Sequence, residues 1–329
     1  MRHNKRRTAG VLATILLAFS LVIAGCGDDE SKEADNSQDV TAELGQPLDT
    51  TSKKVVAEYQ GGKVTEGELN LYLNILQFLQ PNVSFLLNND EAKEQLVKQL
   101  IGERMVAAKV KDDESFAKQA DKDMKEIENY LKSQSEEKSF DEILKERGFN
   151  KDQLREFLIN GNKVSSYFEK QVKEEDLKKE YKRSDQFVNV KVQHILISTE
   201  NRSEAESKKR AEEVKKKLDK GGDFKKLAKK YSDDPGSKNQ GGVIEGLADQ
   251  FVPEFAEAAR TLPLNKLSDP IKTDYGYHVM KVTERKKLPY KEVKDQLKQD
   301  QLQKLYQSFV EKNVKLKKLE LPKSESEQQ

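Results

Sequence analysis

The chain has 329 residues, a net charge of +1 and as many charged residues (36%) as hydrophobic ones (35%). That length suits two domains, and so polar a composition buries only modest cores beneath wide solvated helix faces. The charge balance argues against a nucleic-acid binder, which needs a basic surplus clustered on one face; runs such as Lys215-Lys216-Lys217 read as solvated helix surface.

At the N-terminus Arg2, Lys5, Arg6 and Arg7 precede an apolar stretch from Val11 to Ala24, shorter than the ~20 residues of a membrane span. It ends in Ile23-Ala24-Gly25-Cys26, which resembles a bacterial lipobox. That resemblance implies a lipoprotein signal peptide over 1–25 and a thioether-linked diacylglycerol on Cys26, the lipid attachment site. Cys26 is the only cysteine, so no disulfide forms within the chain. The segment 26–54 is rich in Asp, Glu, Ser and Gln and is expected to be a disordered tether, with a reach of roughly 30 Å.

The region 55–186 is expected to be a helical domain. Val55–Tyr59 and Lys63–Thr65 flank Gly61-Gly62 as a hairpin. Thr65-Glu66-Gly67-Glu68 has capping-box spacing, and Leu69, Leu73, Leu76 and Leu79 recur at helical intervals until Pro81. A second helix starts near Asp90 with Leu96, Leu100, Met105 and Val106 on its buried side. Ser139 opens a short helix that Gly148 closes, and Asn150 caps a longer one carrying Leu154, Leu158, Val164 and Phe168. No metal, nucleotide or nucleophile motif occurs there. Beyond residue 286, Pro289 opens a helix with Val293, Leu297, Leu305 and Phe309, and Val314–Leu319 alternates like a strand. This 287–322 piece is too short to stand alone and is expected to complete the helical domain; 323–329 reads as a disordered tail.

Between these parts lies 187–286. Only three histidines occur in the chain, and two of them, His194 and His278, sit in strand-like runs framing this segment. Between them stand Tyr231-Ser232-Asp233-Asp234, the pair Gly241-Gly242, and Val252-Pro253-Glu254-Phe255. In this order of features the segment resembles a parvulin, the smallest class of peptidyl-prolyl cis/trans isomerase. The lipobox, helical region, single parvulin segment and C-terminal helix together resemble the PrsA-type foldase lipoproteins, whose chaperone half is similar to that of SurA. The resemblance implies an α+β fold, with a small antiparallel sheet and surrounding helices inserted in a mostly helical chaperone domain.

It also implies the site. His194 and His278 would be paired on adjacent central strands as a buried, neutral scaffold. Asp234 would lie beside the target carbonyl, and Thr273 would join the histidine network. Ile244, Phe251 and Phe255 would bind the proline ring. One stretch departs from the family pattern: Gly241-Gly242-Val243-Ile244-Glu245-Gly246-Leu247 stands where Gly-Gly-Asp-Leu-Gly and an aromatic are usual, and Phe251 replaces the commoner methionine. A metal site on the two histidines and Asp234 lacks a further good ligand, and a hydrolase using Ser232 lacks an oxyanion motif.

The implied function is a membrane-tethered extracytoplasmic foldase, without cofactor or metal. Its partners would be unfolded secreted proteins with X–Pro bonds and the cell membrane of a Gram-positive bacterium; a homodimer stays open. The alternative is a holdase with a weak or inactive isomerase site. A solute-binding lipoprotein fits poorly, because 55–186 lacks the alternating strands and helices of two lobes.

Overall fold

The computed structural model describes residues 46–134 and 138–321. The expected signal peptide, Cys26, the start of the expected tether and the 323–329 tail lie outside the described residues. The chain forms two compact units: one runs to Lys173 and resumes at Lys298, the other spans Glu174–Leu297.

In the first unit, β1 (Val55–Tyr59) and β2 (Gly62–Thr65) form the hairpin, and β7 (Leu316–Leu319) pairs antiparallel with β1, giving the order β2-β1-β7. Thr65 ends β2 and caps α1 (Glu66–Leu79): its hydroxyl accepts from the Glu68 N–H while the Glu68 carboxylate accepts from the Thr65 N–H at 2.7 Å. One face of α1, with Leu69, Tyr72, Leu73 and Leu76, packs on Leu96, Val97, Leu100 and Ile101 of α2 (Asp90–Ala107) and on Val314. Its other face, with Ile75 and Leu79, meets Phe140 and Leu144 of α4 (Phe140–Glu146) and Leu154 and Leu158 of α5 (Lys151–Glu169). A third cluster joins Val106, Val164 and Phe168 to Leu302 and Tyr306 of the long helix α10 (Tyr290–Asn313).

Two features differ from expectation. The tether does not run free to residue 54. Asn74 clamps the Leu48 backbone, accepting its N–H at 2.9 Å and donating to its carbonyl at 3.0 Å. The N–H groups of Glu66 and Gly67 donate to the carbonyls of Lys54 and Ser52 at 2.7 and 3.1 Å. The first turn of a helix has N–H groups without intrahelical acceptors, and the incoming segment supplies them. Composition alone does not show such backbone partners. The second feature is α3 (Glu114–Gln134), which buries only Ala120 and Asp123 and half-buries Met124, Ile127 and Leu131. Ala120, Met124, Ile127 and Leu131 do recur at helical spacing, but the stripe is narrow and flanked by charged residues on both sides.

Glu103 of α2 is buried in this unit, and the Tyr72 hydroxyl donates to its Oε1 at 2.8 Å. Burial pushes its carboxyl up to about 7, against the Tyr72 hydrogen bond and nearby Arg104, which pull it down. The native state therefore binds the Glu103 proton more tightly than the unfolded chain. The resulting stability is complete below about pH 4.5 and is lost as pH rises through about 7. We expect the helical unit to lose roughly 3 kcal/mol between pH 4 and 8 from this group. Glu103→Gln should flatten that slope in chemical denaturation; an unchanged slope would exclude Glu103 as its source.

The second unit is wider than 187–286. Helix α6 (Glu174–Arg183) belongs to it: the Tyr181 hydroxyl donates to the Leu288 carbonyl at 2.6 Å, Lys287 donates to the Ser184 carbonyl at 2.5 Å, and Glu174 pairs with Lys294 at 2.7 Å. Val293 and Leu297 accordingly fall in this unit, not with the helical one. Its sheet has the order β4-β3-β6-β5, all antiparallel, from β4 (Val243–Leu247), β3 (Val188–Ser198), β6 (Gly276–Lys287) and β5 (Ile271–Thr273). Strand alternation splits the core. Ile195, Ile197, Tyr277 and Val279 face α7 (Glu204–Asp219) and α8 (Phe224–Tyr231). Val190, Val192, Met280 and Val282 face α9 (Pro253–Thr261), where Phe255 and Ala259 complete the layer.

Candidate active site

Both histidines lie on the α9 side of the two central strands. In the β3–β6 register His194 stands opposite Met280 and Leu196 opposite His278, so the two rings occupy neighbouring positions on one face. Two glycines allow this. Gly242 has φ +72°, and a Cβ there would lie 2.2 Å from the His194 carbonyl oxygen; its own carbonyl accepts the His194 N–H at 2.7 Å. Gly276, at φ +130°, has the same crowding against the Ile197 carbonyl oxygen, at 2.2 Å.

A continuous hydrogen-bond chain runs through the site. Thr273 Oγ1 lies 2.9 Å from His278 Nε2, His278 Nδ1 lies 3.4 Å from His194 Nδ1, and His194 Nε2 lies 3.0 Å from Asp234 Oδ2. One proton assignment satisfies every link. The Tyr275 N–H donates to Thr273 Oγ1, at 3.2 Å. The threonine hydroxyl then donates to His278 Nε2, His278 Nδ1–H to His194 Nδ1, and His194 Nε2–H to the ionised Asp234. Reversing the chain would set an imidazole lone pair against the carboxylate.

Asp234 collects further donors. The Ser237 hydroxyl donates to Oδ2 and also lies 3.0 Å from His194 Nε2, and the Gly236 N–H donates to Oδ1 at 3.0 Å. The His194 hydrogen bond, with those of Ser237 and Gly236, holds the Asp234 carboxyl well below the usual carboxylate range despite partial burial. Burial, reinforced by His194 and opposed by Asp234, pulls His278 down to about 3. Both histidines are 5% exposed, whereas the Asp234 side chain is 22% exposed. Asp234 is thus the member of the chain that meets solvent.

Over the histidines lies Phe255, its ring edge-on to His194 at 5.5 Å and to His278 at 5.2 Å. Phe251 packs against Phe255 at 5.3 Å, and half-buried Ile244, paired with Val192, belongs to the same apolar cluster. All seven residues singled out between 194 and 278 therefore meet in one place, the polar four joined to the apolar three through Phe255. Ser237 was missed by sequence reasoning. Its only signal is its place three residues after Asp234 in Asp-Pro-Gly-Ser, a common turn pattern. Among the described residues, no three His, Cys, Asp or Glu side chains are placed to hold a metal ion.

The lowered His278 value makes this unit acid-sensitive. The unfolded chain takes up the proton near 6.5 and the folded one only near 3, so stability is full above about pH 6.5 and falls as pH drops towards 3. At pH 5 the expected loss is about 2 kcal/mol relative to pH 8. His278→Gln should remove the slope between pH 6.5 and 5, where Asp234 does not yet titrate. A wild-type unit equally stable at pH 5 and 8 would contradict a neutral His278.

The family profile described as the PPIC-type PPIase domain matches residues 175–286. A foldase protein PrsA of Clostridium botulinum (strain Hall) is 35% identical over 255 residues, 70% of this chain and 73% of that protein. Foldase protein PrsA 3 of Bacillus anthracis is 45% identical over 157 residues, 46% of this chain and 50% of that protein. The crystal structure of a peptidylprolyl isomerase (PrsA) from Bacillus cereus covers 79% of this chain and 90% of its own, at 27% identity and a TM-score of 0.46. With that share of the clostridial protein covered at that identity, the chain belongs to the PrsA foldase family and is a parvulin-type peptidyl-prolyl cis/trans isomerase that assists protein folding.

Proposed function

We propose that the isomerase works through the Thr273–His278–His194–Asp234 chain, and that it serves secreted proteins while anchored to the outer face of the cytoplasmic membrane through Cys26. The observation that carries the site is the unbroken hydrogen-bond chain ending on a partly exposed, ionised Asp234 beside an apolar cluster.

Rotation about X–Pro is opposed by amide resonance, a barrier of ~18–20 kcal/mol that makes it slow enough to limit folding. Resonance places negative charge on the carbonyl oxygen. A fixed carboxylate beside that oxygen disfavours the planar amide more than the twisted one, in which the charge has receded. The neutral histidines take no proton from the substrate; they donate towards Asp234 and hold it ionised and oriented. Ile244 and Phe251 would receive the proline ring, with Phe255 as the floor beneath. The helical unit would hold unfolded segments, in line with the foldase names of the relatives.

A second reading, a holdase with an idle site, draws on Phe255, which is only 2% exposed. Refolding of a client limited by X–Pro isomerisation separates the two. Wild type should shorten the slow phase and Asp234→Ala should not, while both suppress client aggregation. Suppression without any change in the slow phase would leave only the holdase.

The anchor rests on the Ile23-Ala24-Gly25-Cys26 sequence. Among the described residues no helix is long and apolar enough to cross a membrane. A diacylglycerol supplies the two chains that stable anchoring requires. Cys26→Ala should abolish incorporation of labelled fatty acid and release the protein from the membrane fraction; continued labelling would refute the anchor.

A further inference from the structure

The overall charge of +1 conceals a segregated surface. Residues 208–238 hold twelve lysines and arginines against six aspartates and glutamates, while the rest of the 174–297 unit holds fifteen against seventeen. Four of the six acids in 208–238 are engaged locally. Asp219 pairs with Lys215 at 2.8 Å, Asp223 caps α8 by accepting the Lys226 N–H at 2.7 Å, Asp233 pairs with Arg202 at 2.6 Å, and Asp234 lies in the site. Glu212 and Glu213 are the other two; of the acids at the start of α7, Glu204 pairs with Lys272 at 2.8 Å and Glu206 accepts the Ser203 N–H at 3.1 Å.

Those lysines share one side of the fold. Ala211, Val214, Phe224 and Ala228 bury the inner faces of both helices against Ile195, Ile197 and Val279. Helical spacing then turns Lys209 and Lys216 of α7, and Lys225, Lys226 and Lys229 of α8, outward, with Lys220 at the C-cap of α7 beside them. All six are exposed, and among the described residues none of them is in an ion pair. Among the described residues, the large apolar side chains that are exposed are Tyr130, Leu264 and Tyr275, none of them on α7 or α8. The histidines and Phe255 lie on the opposite side of the sheet.

We propose that this α7–α8 lysine face docks the isomerase unit on a bilayer rich in anionic phospholipid, leaving the site turned towards clients. The inference rests on the membrane anchoring proposed above, which holds the unit close to such a surface. Ammonium groups without intramolecular partners, on a face with no apolar side chain to insert, fit phosphate headgroups by charge alone. Docking of that kind is reversible and fades within a Debye length as salt rises.

The test uses the soluble chain from Gly27 to Gln329, free of lipid, with vesicles of phosphatidylcholine alone or mixed with phosphatidylglycerol. Sedimentation with the mixed vesicles only, lost in 0.5 M salt, is expected. Lys216→Glu, Lys220→Glu, Lys226→Glu and Lys229→Glu combined should weaken binding about 100-fold or more, and the same four changed to Arg should retain it. Proline-peptide isomerisation, measured on the same samples, should be unaltered by either set, which shows that both variants are folded. Equal binding to both vesicle types, or binding untouched by the four glutamates, would overturn the proposal. So would capture by a soluble polyphosphate without vesicle binding, which would assign the face to an anionic polymer. Loss of isomerisation in wild type would instead count against the site, and continued lipid labelling of Cys26→Ala against the anchor, so the three failures are distinguishable.

Discussion

A chain ending at Leu297 is expected to lose the cooperative melting of its helical unit and to keep that of the isomerase unit. Residues 298–319 supply Leu302 and Tyr306 to the cluster around Val106, Val164 and Phe168, Val314 to the main core, and β7 to the sheet edge. Leu302 is 0% exposed, Tyr306 6% and Val314 5%, and Tyr306 also donates to the Gln99 carbonyl at 2.8 Å. At roughly 2 kcal/mol for each buried side chain, their removal takes about 6 kcal/mol, comparable with the ~5–15 kcal/mol that holds a whole domain folded. The β1 edge and the apolar faces left bare add to the loss. Calorimetry of the full chain should show two transitions, and of the truncated chain one. A helical transition unmoved by the truncation would show that α10 and β7 contribute nothing to that unit.

The second large effect is on catalysis. Asp234→Ala is expected to lower kcat/KM for proline-peptide isomerisation about 100-fold, the size seen when one preorganised electrostatic group is removed from a site. Asp234→Asn should lose nearly as much, because the carboxylate acts through its charge rather than its shape. Asp234→Ala should also cost some stability, because the buried His194 Nε2–H loses its carboxylate acceptor, whereas the amide oxygen of Asp234→Asn keeps one. Ser237→Ala should lose about tenfold, corresponding to ~1.4 kcal/mol of weakened orientation, with Ser237→Thr restoring part of it. His278→Ala acts inside the chain: it leaves the buried His194 Nδ1 without its donor and the Thr273 hydroxyl without its acceptor, and should cost about 1–3 kcal/mol of stability. Full activity in Asp234→Asn would remove charge from the mechanism.

Much of the site is legible in the sequence because its polar members are rare residue types in regular strands. His194 and His278 are two of three histidines and stand in strand-like runs; the parvulin resemblance pairs them, and the observed β3–β6 register sets them on one face. Gly241-Gly242 is legible for a similar reason, since only glycine accepts the left-handed backbone and the 2.2 Å approach to the His194 carbonyl oxygen at Gly242. Ser237 is not legible, because a serine in an Asp-Pro-Gly-Ser turn looks like any other turn residue until the chain closes around it. Long-range partners are equally hidden. Asn74 clasping Leu48 turns a polar segment into an ordered strap, and Tyr181 reaching the Leu288 carbonyl moves a domain boundary. The lysine face is hidden in another way: alternating acids in the sequence make it look neutral, and only the local engagement of four of those acids shows that it is not.

In the mechanism proposed above, the paired histidines keep Asp234 ionised beside the substrate carbonyl. The most direct measurement is the pH profile of proline-peptide isomerisation by the soluble full chain, wild type beside Asp234→Asn. Wild-type activity should stay level from pH 8 to about 6 and persist while the fold holds, because the Asp234 carboxyl is held below the usual carboxylate range, with the Asn variant low throughout. Equal activity of the two proteins across that range, or wild-type activity that rises on protonation, would contradict it.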